Sequence, residues 1–432
     1  MIRRAGEHAV VLGAGVSGLL AARVLTDFYD RVTLVERDAL DGGGPRRGVP
    51  QGFHAHGLLP RGLQVIEELF PGVTAEMIDA GAVPYGTTQL RMIMGGYEFA
   101  RTPTPDQGVS ATRPFLEGHL LRRTRALPNL VLADRHQVTG IVADGGRVSG
   151  ARVAGDDGER ELPADLVVDA MGRGGRTLVW LGEMGFDRPE EEVVKVEVAY
   201  ATWYFRIPEE AMGGYRMVLV GSHPGQRKGA ALCAVEGGRW LVTLGGNAGV
   251  RPPSDAEGFF SWLDEVAPAD VAAAVRRGEP LGEVGAARIP TSVRRRYERL
   301  GRFPEGLLVT GDALCNFNPI YGQGMAVGAL DALALRDRLR EGAGDLARRY
   351  FAAAARAVDP AWQLATGADL SMREAEGSRP PRVRVLNAYV RRLQRAAAHD
   401  PAVAVAFGRV TGLLDPPSAL MRPGVLWRAL RG

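Results

Sequence analysis

The chain has 432 residues, of which 46% are hydrophobic and 24% charged, with a formal net charge of +3, so it has the composition of an ordinary globular protein and gives no reason to expect a nucleic-acid partner. Its two cysteines, Cys233 and Cys315, are too few for a disulfide framework and lack the spacing of a metal site. This cysteine usage fits a reducing, cytoplasmic compartment, and no transmembrane segment is expected because no apolar run reaches the ~18 residues that one needs.

The first predicted elements are a strand, a glycine turn and a helix. Residues 8–13 have the apolar character of a buried strand, and residues 16–28 carry apolar side chains at helical spacing. The turn between them has the spacing of a dinucleotide-binding fingerprint, which brings a pyrophosphate to a helix N-terminus. The residues expected to contact the nucleotide here are Gly13, Gly15, Val16, Ser17 and Gly18.

A second strand, over residues 31–36, completes a strand–helix–strand unit and ends in Glu36. This carboxylate lies about 20 residues after the glycines, where an acid accepts hydrogen bonds from ribose hydroxyls. Glycine spacing alone is a weak signal in a chain with 57 glycines, and the alternative is a simple turn. The strand, the helix and the acid together favour a nucleotide site.

The periodicity changes in the middle of the chain. A loop rich in Gly, Pro and Arg is followed by two predicted helices, at 57–70 and 113–127, and by alternating strands over 129–169. Longer alternating strands, typical of an antiparallel sheet, come next. They cover residues 195–207, 215–222, 228–235 and 239–245, and two short helices follow within 255–276.

A second glycine-rich segment follows a predicted strand at 306–311, about 300 residues after the first. A carboxylate at Asp312 could accept hydrogen bonds from ribityl hydroxyls. A helix is predicted from about residue 323 to 340. Its first amides lie at the positive end of the helix, where they could stabilise negative charge on a reduced flavin. The residues assigned to this second site are Gly311, Asp312, Gly322, Gly324 and Met325.

Two glycine turns so far apart indicate FAD, because FAD is long enough to need one turn at its adenine end and another near its ring. The alternative for Asp312 is an N-cap on an ordinary loop. The concentration of Asn316, Asn318, Pro319 and Tyr321 in the same loop argues against that alternative.

We therefore predict an α/β (α+β) fold, with a Rossmann-like FAD-binding domain interleaved with an antiparallel-sheet substrate domain and a C-terminal helical region. The FAD-binding domain is expected to be discontinuous, over residues 1–190 and 281–342, around a sheet domain at 191–280. Residues 343–432 are predicted to be helical and could form a pocket lid, a dimer face or a membrane-surface contact, with simple helix packing favoured. The substrate cavity is expected between the sheet and the flavin.

These motifs resemble the FAD-dependent aromatic hydroxylases and epoxidases that share the para-hydroxybenzoate hydroxylase fold. The resemblance covers roughly residues 8–340 and depends on the glycine turn, Glu36, Gly311–Asp312 and the loop 319–325. Within that superfamily the sequence is most similar to bacterial squalene-epoxidase-like enzymes of natural-product biosynthesis. The resemblance implies a monooxygenase that inserts one oxygen atom into a lipophilic substrate, by epoxidation or hydroxylation, through a flavin C4a-hydroperoxide formed from molecular oxygen.

The resemblance also implies roles for several arginines. Arg46 and Arg47 occupy a loop in which the family places an arginine against the FAD pyrophosphate or adenylate, and Arg37 is counted with them; two solvated loop arginines are the alternative. Arg113 resembles the residue that opens the helix beside the FAD phosphates. Its alternative is electrostatic pairing with Glu117 at the start of that helix.

Two histidines, His54 and His56, match in position the loop that borders the flavin in this superfamily. They are candidates for lining the active site, together with Pro319 and Tyr321, and a structural role is an equal alternative for either histidine. A metal site is rejected, because no third ligand stands nearby.

Asp169 and Gly172 occupy the place of the family's Asp-Gly segment and are expected to serve FAD. Where the family has an aspartate immediately before the glycine, this chain has Met171. The departure puts direct NAD(P)H binding in doubt. Electrons from NAD(P)H could therefore arrive through a separate flavin reductase.

Three other functions compete with oxygen insertion. Halogenases of similar fold carry an essential lysine in the FAD-binding domain, but the first of the two lysines here is Lys195 and the second is Lys228. Olefin reduction or dehydrogenation, as in geranylgeranyl reductases, needs the same fold and is the main alternative. A non-enzymatic flavin-binding module is a third and weaker hypothesis, while the absence of a lysine before Lys195 nearly excludes halogenation.

Overall fold

The computed structural model describes residues 4–41, 46, 50–55, 57–372 and 381–431. Two predicted site residues, Arg47 and His56, lie outside the described residues. Within these ranges the predicted fold class is confirmed, because a parallel sheet flanked by helices is joined to a large, mainly antiparallel sheet.

The strands fall into a set before residue 170, a set between residues 191 and 295, and two short strands that follow them. In chain order they are β1 (Gly6–Leu12), β2 (Tyr29–Val35), β3 (Val83–Gly86), β4 (Leu90–Met94), β5 (Tyr97–Glu98), β6 (Gln107–Ser110), β7 (Leu130–Ala133), β8 (Gln137–Asp144), β9 (Arg147–Gly155), β10 (Gly158–Pro163), β11 (Leu166–Asp169), β12 (Glu191–Arg206), β13 (Met217–Val220), β14 (Lys228–Val235), β15 (Arg239–Gly246), β16 (Glu279–Arg295), β17 (Leu307–Val309) and β18 (Cys315–Asn316).

Helices connect the strands and make up the C-terminal part of the described chain. They are α1 (Val16–Leu25), α2 (Pro60–Leu69), α3 (Val73–Asp79), α4 (Arg113–Arg125), α5 (Thr177–Glu183), α6 (Ala256–Val266), α7 (Ala269–Arg277), α8 (Gln323–Arg340), α9 (Leu346–Asp369), α10 (Pro381–Ala397), α11 (Pro401–Thr411) and α12 (Pro423–Arg431). The helix predicted from residue 57 begins at Pro60, whose missing N–H suits the first helical position.

A five-stranded parallel sheet, in the order β17-β11-β1-β2-β7, forms the first layer. Alternate residues of β1 point to different cores. Ala9 and Val11 pack with α1, α8 and α9, whereas Val10 and Leu12 pack against the small sheet β10-β9-β8. Both faces of the parallel sheet are therefore covered, as such sheets require.

The second large sheet has eight strands in the order β18-β16-β12-β15-β14-β13-β4-β5. Its long strand β16, which pairs with β12 along most of its length, was not predicted. Two strands from before residue 100 also join it, because β4 pairs in parallel with β13 and β5 pairs with β4. The domain boundaries stated above remain a prediction.

The two faces of this sheet have different partners. Leu232 and Val242 pack in a core with Phe259 and other residues of α6 and α7. Their neighbours along the same strands, such as Cys233 and Thr243, point to the opposite face and line a cavity. Beyond the edge strand β5, α10, α11 and α12 share a small core with Phe99. No helix within the described ranges is long and apolar enough to cross a membrane.

Candidate active site

The predicted cofactor motifs follow neighbouring strands of the parallel sheet. Gly13 comes directly after β1, Glu36 after β2 and the Gly311–Asp312 pair shortly after β17, while Asp169 ends β11. Because the carboxyl ends of parallel strands share one edge, the sheet gathers all four motifs there. This edge is where open α/β sheets bind their ligands.

The glycines of the turn differ in what lies around them: Gly13 and Gly18 face the protein's own backbone, whereas Gly15 faces open space. Gly13 has φ 101° and its absent Cβ would lie 2.7 Å from the Ala170 carbonyl oxygen, while a Cβ at Gly18 would overlap the Gly13 carbonyl oxygen. Gly15 differs, because a Cβ there would meet nothing within 4 Å. No contact among the described residues therefore explains Gly15, and the space is open to the pyrophosphate that the sequence predicts.

The first turn of α1 also joins the two glycine segments. Val16 is buried and opens the helix, and Ser17 lies so close to Gly311 that any side chain there would overlap the serine hydroxyl. Gly311 has φ 61°. The start of α1 and the turn after β17 are thus in direct contact, although they are far apart in the sequence.

Asp312 lies where the second half of FAD is expected. Gly172 and Gly324 flank it, since a Cβ at Gly172 would lie 3.7 Å from the Asp312 Cβ and one at Gly324 3.7 Å from its Oδ1. Burial raises the pKa of Asp312, and the charges of Arg113 and Arg173 oppose the rise. Within the described part of the chain this carboxylate has no protein hydrogen-bond donor, so its oxygens fit the ribityl hydroxyls of FAD.

Near the carboxyl end of β2, two arginines and two glutamates form one ionic cluster. Arg46 contacts Glu36 (Nη1 to Oε2, 3.3 Å) and Glu117 (Nη2 to Oε2, 2.6 Å), and Arg113 contacts Glu117 (Nε to Oε1, 2.9 Å). Burial acts to raise the pKa of Glu117, but the charges of Arg113 and Arg46 outweigh it and lower that pKa. Arg37 is exposed beside the cluster.

Glu36 also accepts hydrogen bonds from the amides of Ala14 (2.9 Å) and Asp38 (3.1 Å). It therefore holds the glycine turn to the end of β2. Asp169 does similar work at the end of β11, where its oxygens accept from the Met171 amide (3.0 Å) and the Thr177 hydroxyl (2.6 Å). Direct contacts of these two acids with FAD remain predictions.

His54 docks the following loop onto the large sheet. Its Nδ1 lies 2.7 Å from the Thr202 hydroxyl, which lies 2.8 Å from the Thr243 hydroxyl. The Ala55 amide donates to Thr243 (3.2 Å). Burial lowers the pKa of His54 to about 4, so the ring is neutral at physiological pH.

Pro319 and Tyr321 form a short helical turn just before α8. Gly322, with φ 64°, ends that turn and precedes the first residue of α8, and Met325 is buried in the helix's first turn. The Tyr321 hydroxyl donates to Asp369 (2.7 Å). The N-terminus of α8 therefore follows the turn directly, and the helix starts at the residue where the sequence predicted its start.

A cavity of about 860 Å³ adjoins this loop. Its lining includes both candidate residues of the turn and His54, and it is otherwise dominated by apolar side chains from β4, the large sheet and the C-terminal helices. Representative lining residues are Met92, Met94, Leu219, Tyr389 and Phe407. The chamber is thus lined by segments that are far apart in the chain.

Two residues of this site, Asp369 and Tyr200, were missed in the sequence. Together with Asn318 they form a buried hydrogen-bonded set next to the cavity. The Arg173 side chain also reaches the cavity. No local pattern marks Asp369 or Tyr200, because each contacts the loop only through tertiary folding.

Comparisons with known proteins show the family and the fold of the chain. Residues 7–350 match the family described as "FAD binding domain". Protein Rv3254 of Mycobacterium tuberculosis is 36% identical over 97% of this chain and 92% of its own length. The 6-methylpretetramide 4-monooxygenase of Streptomyces rimosus is 27% identical over 84% of this chain and 82% of its own. The solved structure of the flavin-dependent brominase Bmp2 is 15% identical, covers 99% of this chain and 98% of its own, and superposes with a TM-score of 0.70, which shows a shared fold.

Proposed function

The chain belongs to the FAD-binding family of flavin monooxygenases with the para-hydroxybenzoate hydroxylase fold, and from this premise we propose that it inserts one oxygen atom into a lipophilic, multi-ring or olefinic natural-product intermediate. The observation that carries the proposal is the position of the cavity. It is large, mainly apolar and bounded on one side by the turn at Pro319–Tyr321, and this turn lies beside the flavin in our proposal. A substrate in it would be sheltered from water near the flavin ring.

The residues present fit FAD at both ends. The open space at Gly15 and the N-terminus of α1 suit the pyrophosphate, and the Asp312 carboxylate suits the ribityl chain. When bound and reduced, FAD supplies the activation of molecular oxygen. The amides at the start of α8, at Gln323 and Gly324, would stabilise negative charge on the ring system.

The protein's own contribution is to bind, orient and exclude water. The apolar walls hold the substrate without directional bonds, and the neutral His54 ring can serve as a hydrogen-bond partner without adding charge. No acid–base pair has to cleave the substrate, because the oxidising chemistry belongs to the cofactor.

We further propose that electrons come from NAD(P)H through a separate flavin reductase. The chain has one dinucleotide turn of the required spacing, and Met171 stands where related hydroxylases have an aspartate. The test is steady-state oxidation of NADH by the FAD-loaded protein with and without an added flavin reductase. Efficient oxidation of NADH by the protein alone would overturn the proposal of a separate flavin reductase.

Olefin reduction is the main alternative, since it needs the same cofactor site. Halogenation is a second, because a brominase shares the fold. Against halogenation, both lysines are in the large sheet and not in the FAD-binding segments. Lys228 is paired with Glu265 and lies 4.8 Å from the Trp262 ring centre, and Lys195 is in β12.

The deciding experiment supplies the FAD-loaded protein with reductant, ¹⁸O₂, bromide and a panel of multi-ring phenols and polyenes that includes 6-methylpretetramide. A product carrying one labelled oxygen supports the proposal, and its position separates epoxidation from hydroxylation. A product formed without oxygen would favour the reductase, and a brominated product would favour the halogenase. If no member of the panel is turned over, the result would favour a binding module.

A further inference from the structure

The last residue of α9 reaches the turn at Asn318–Tyr321. Asp369 is 5% exposed, and its Oδ1 accepts hydrogen bonds from the Asn318 side-chain amide (2.8 Å) and from the Tyr321 hydroxyl (2.7 Å). One carboxylate oxygen therefore holds both ends of a four-residue turn.

Asn318 extends the connection to the large sheet. Its own side-chain oxygen accepts from the Ile320 amide (3.2 Å) and from the Tyr200 hydroxyl of β12 (3.2 Å). Tyr200, Ile320 and Tyr321 all line the cavity. The hydrogen-bonded set thus joins a C-terminal helix, the turn before α8 and the wall of the cavity.

We propose that Asp369 is a positioning residue of the reaction site: it fixes the Asn318–Tyr321 turn against the flavin and makes the end of α9 a functional part of that site. The inference rests on the proposed function for its link to FAD. It also assigns a role to the C-terminal helical region, for which the sequence favoured mere packing.

The carboxylate can perform this role in two charge states. Its Oδ2 is buried and has no hydrogen-bond partner among the described residues, so a proton can occupy it while Oδ1 keeps both bonds. Burial raises the pKa of Asp369 to about 6, against the opposing effect of the Tyr321 and Asn318 hydrogen bonds. The titratable groups that face it are Tyr321 and, through Asn318, Tyr200, and within the described ranges no cation forms an ion pair with it.

Because of this geometry, charge and hydrogen bonding can be separated by mutation. Asp369→Asn keeps an acceptor at Oδ1 and mimics the protonated acid, whereas Asp369→Ala removes the acceptor. Tyr321→Phe removes one donor. Asp345→Asn, a carboxylate at the other end of the same helix and paired with Arg348, is the matched control.

The first measurement uses the apoprotein and does not depend on FAD. We expect the effects of Asp369→Ala and Tyr321→Phe on the urea midpoint of unfolding to be non-additive, because both break the same bond. Additive effects would show that the bond does not hold the turn and would overturn the inference. Asp345→Asn combined with Tyr321→Phe should be additive.

The second measurement follows the visible absorption of bound FAD across about one pH unit on either side of the Asp369 pKa. We expect an inflection near pH 6 in the wild type, none in Asp369→Asn, and a spectrum altered at every pH in Asp369→Ala. Identical pH profiles of the wild type and Asp369→Asn would overturn the proposed proximity to the flavin. A wild type that binds no FAD would instead contradict the proposed function, while the apoprotein cycle would still decide the role in the turn.

Discussion

The glycine turn and the cavity wall are built in opposite ways. The turn comprises six consecutive residues, Gly13–Gly18, and the residues that hold it follow strands of one sheet. The wall brings together residues as far apart as Tyr85 and Met421, contributed by strands, a loop and helices. The turn is therefore a local structure with a sequence signature, and the wall is a product of the complete fold.

Their sensitivity to change should differ as well. In the turn, backbone atoms lie against backbone atoms, as Gly18 does against the Gly13 carbonyl, and neither can move without the sheet. In the wall, side chains face an open chamber whose shape can change without disturbing the core behind the sheet. Mutations in the glycine turn should thus destabilise the protein, whereas mutations in the cavity wall should change the shape of the cavity.

The largest effect is expected for Gly18→Ala. The added Cβ overlaps the Gly13 carbonyl oxygen, so we expect a loss of about 3 kcal/mol or more in the free energy of unfolding of the apoprotein. Gly15→Ala is the matched variant, since its Cβ meets nothing within 4 Å. It should leave apoprotein stability unchanged and weaken FAD binding by about tenfold or more.

Urea unfolding of the apoprotein and FAD titration by fluorescence quenching check both variants. Equal destabilisation by the two alanines would mean that the turn is not shaped around a ligand. An undiminished FAD affinity in Gly15→Ala would contradict the assignment of this turn to the pyrophosphate.

The wall is tested by Ala231→Phe, in β14. Ala231 faces the cavity while its neighbour Leu232 faces the core, so a phenyl ring should narrow the chamber without crowding the core. We expect kcat/KM for a multi-ring substrate to fall about 100-fold, ~2.7 kcal/mol, with FAD affinity unchanged. Ala231→Val should have an intermediate effect, and a parallel loss of FAD binding in either variant would contradict the separation of the two regions.

This contrast explains what the sequence could predict. The strand–turn–helix unit, Glu36, Gly311–Asp312 and the start of α8 carry their signals within a few residues, and the structure gathers them at one sheet edge. The antiparallel sheet was predicted from alternation, which also separates its two faces. The assignment of particular residues to FAD stays a prediction.

Other features had no local signal. Strand β16 lacks a clear alternation of burial along much of its length, so its pairing with β12 depends on the partner strand. The joining of β4 to β13 is a parallel pairing between distant segments. Asp369 is an ordinary polar residue in the sequence, and only the fold brings it to Asn318 and Tyr321.

A smaller effect is expected for Glu117→Gln, which tests the ionic cluster beside the turn. Glutamine keeps one acceptor but removes the charge that Arg46 and Arg113 share, at a cost of about 1–3 kcal/mol near pH 7. The pKa of Glu117 is lowered in the folded state, so its contribution is present above its unfolded pKa and is lost as the pH falls through the folded value. The stability gap between wild type and variant should therefore narrow on acidification in denaturant titrations, and a constant gap would contradict the cluster's role.

The smallest effect is expected for His54→Gln, at the point where the loop meets the wall. Burial lowers the pKa of His54 from 6.5 to about 4, so the unfolded chain takes up a proton in this range and the folded chain does not. Stability that depends on the neutral ring is thus present above the unfolded pKa and is lost as the pH falls. Between about pH 7 and pH 5.5 the wild type should lose ~1 kcal/mol more than His54→Gln.

Denaturant titrations at the two pH values measure this difference, with His399→Gln, at an exposed position after α10, as the histidine control. An equal loss in wild type and His54→Gln would show that the imidazole is protonated as readily in the folded protein as in the unfolded chain. If the loss is unequal as expected, His54 stays neutral across the working pH range. An inflection near pH 6 in the flavin spectrum is then traced to Asp369 and not to the histidine.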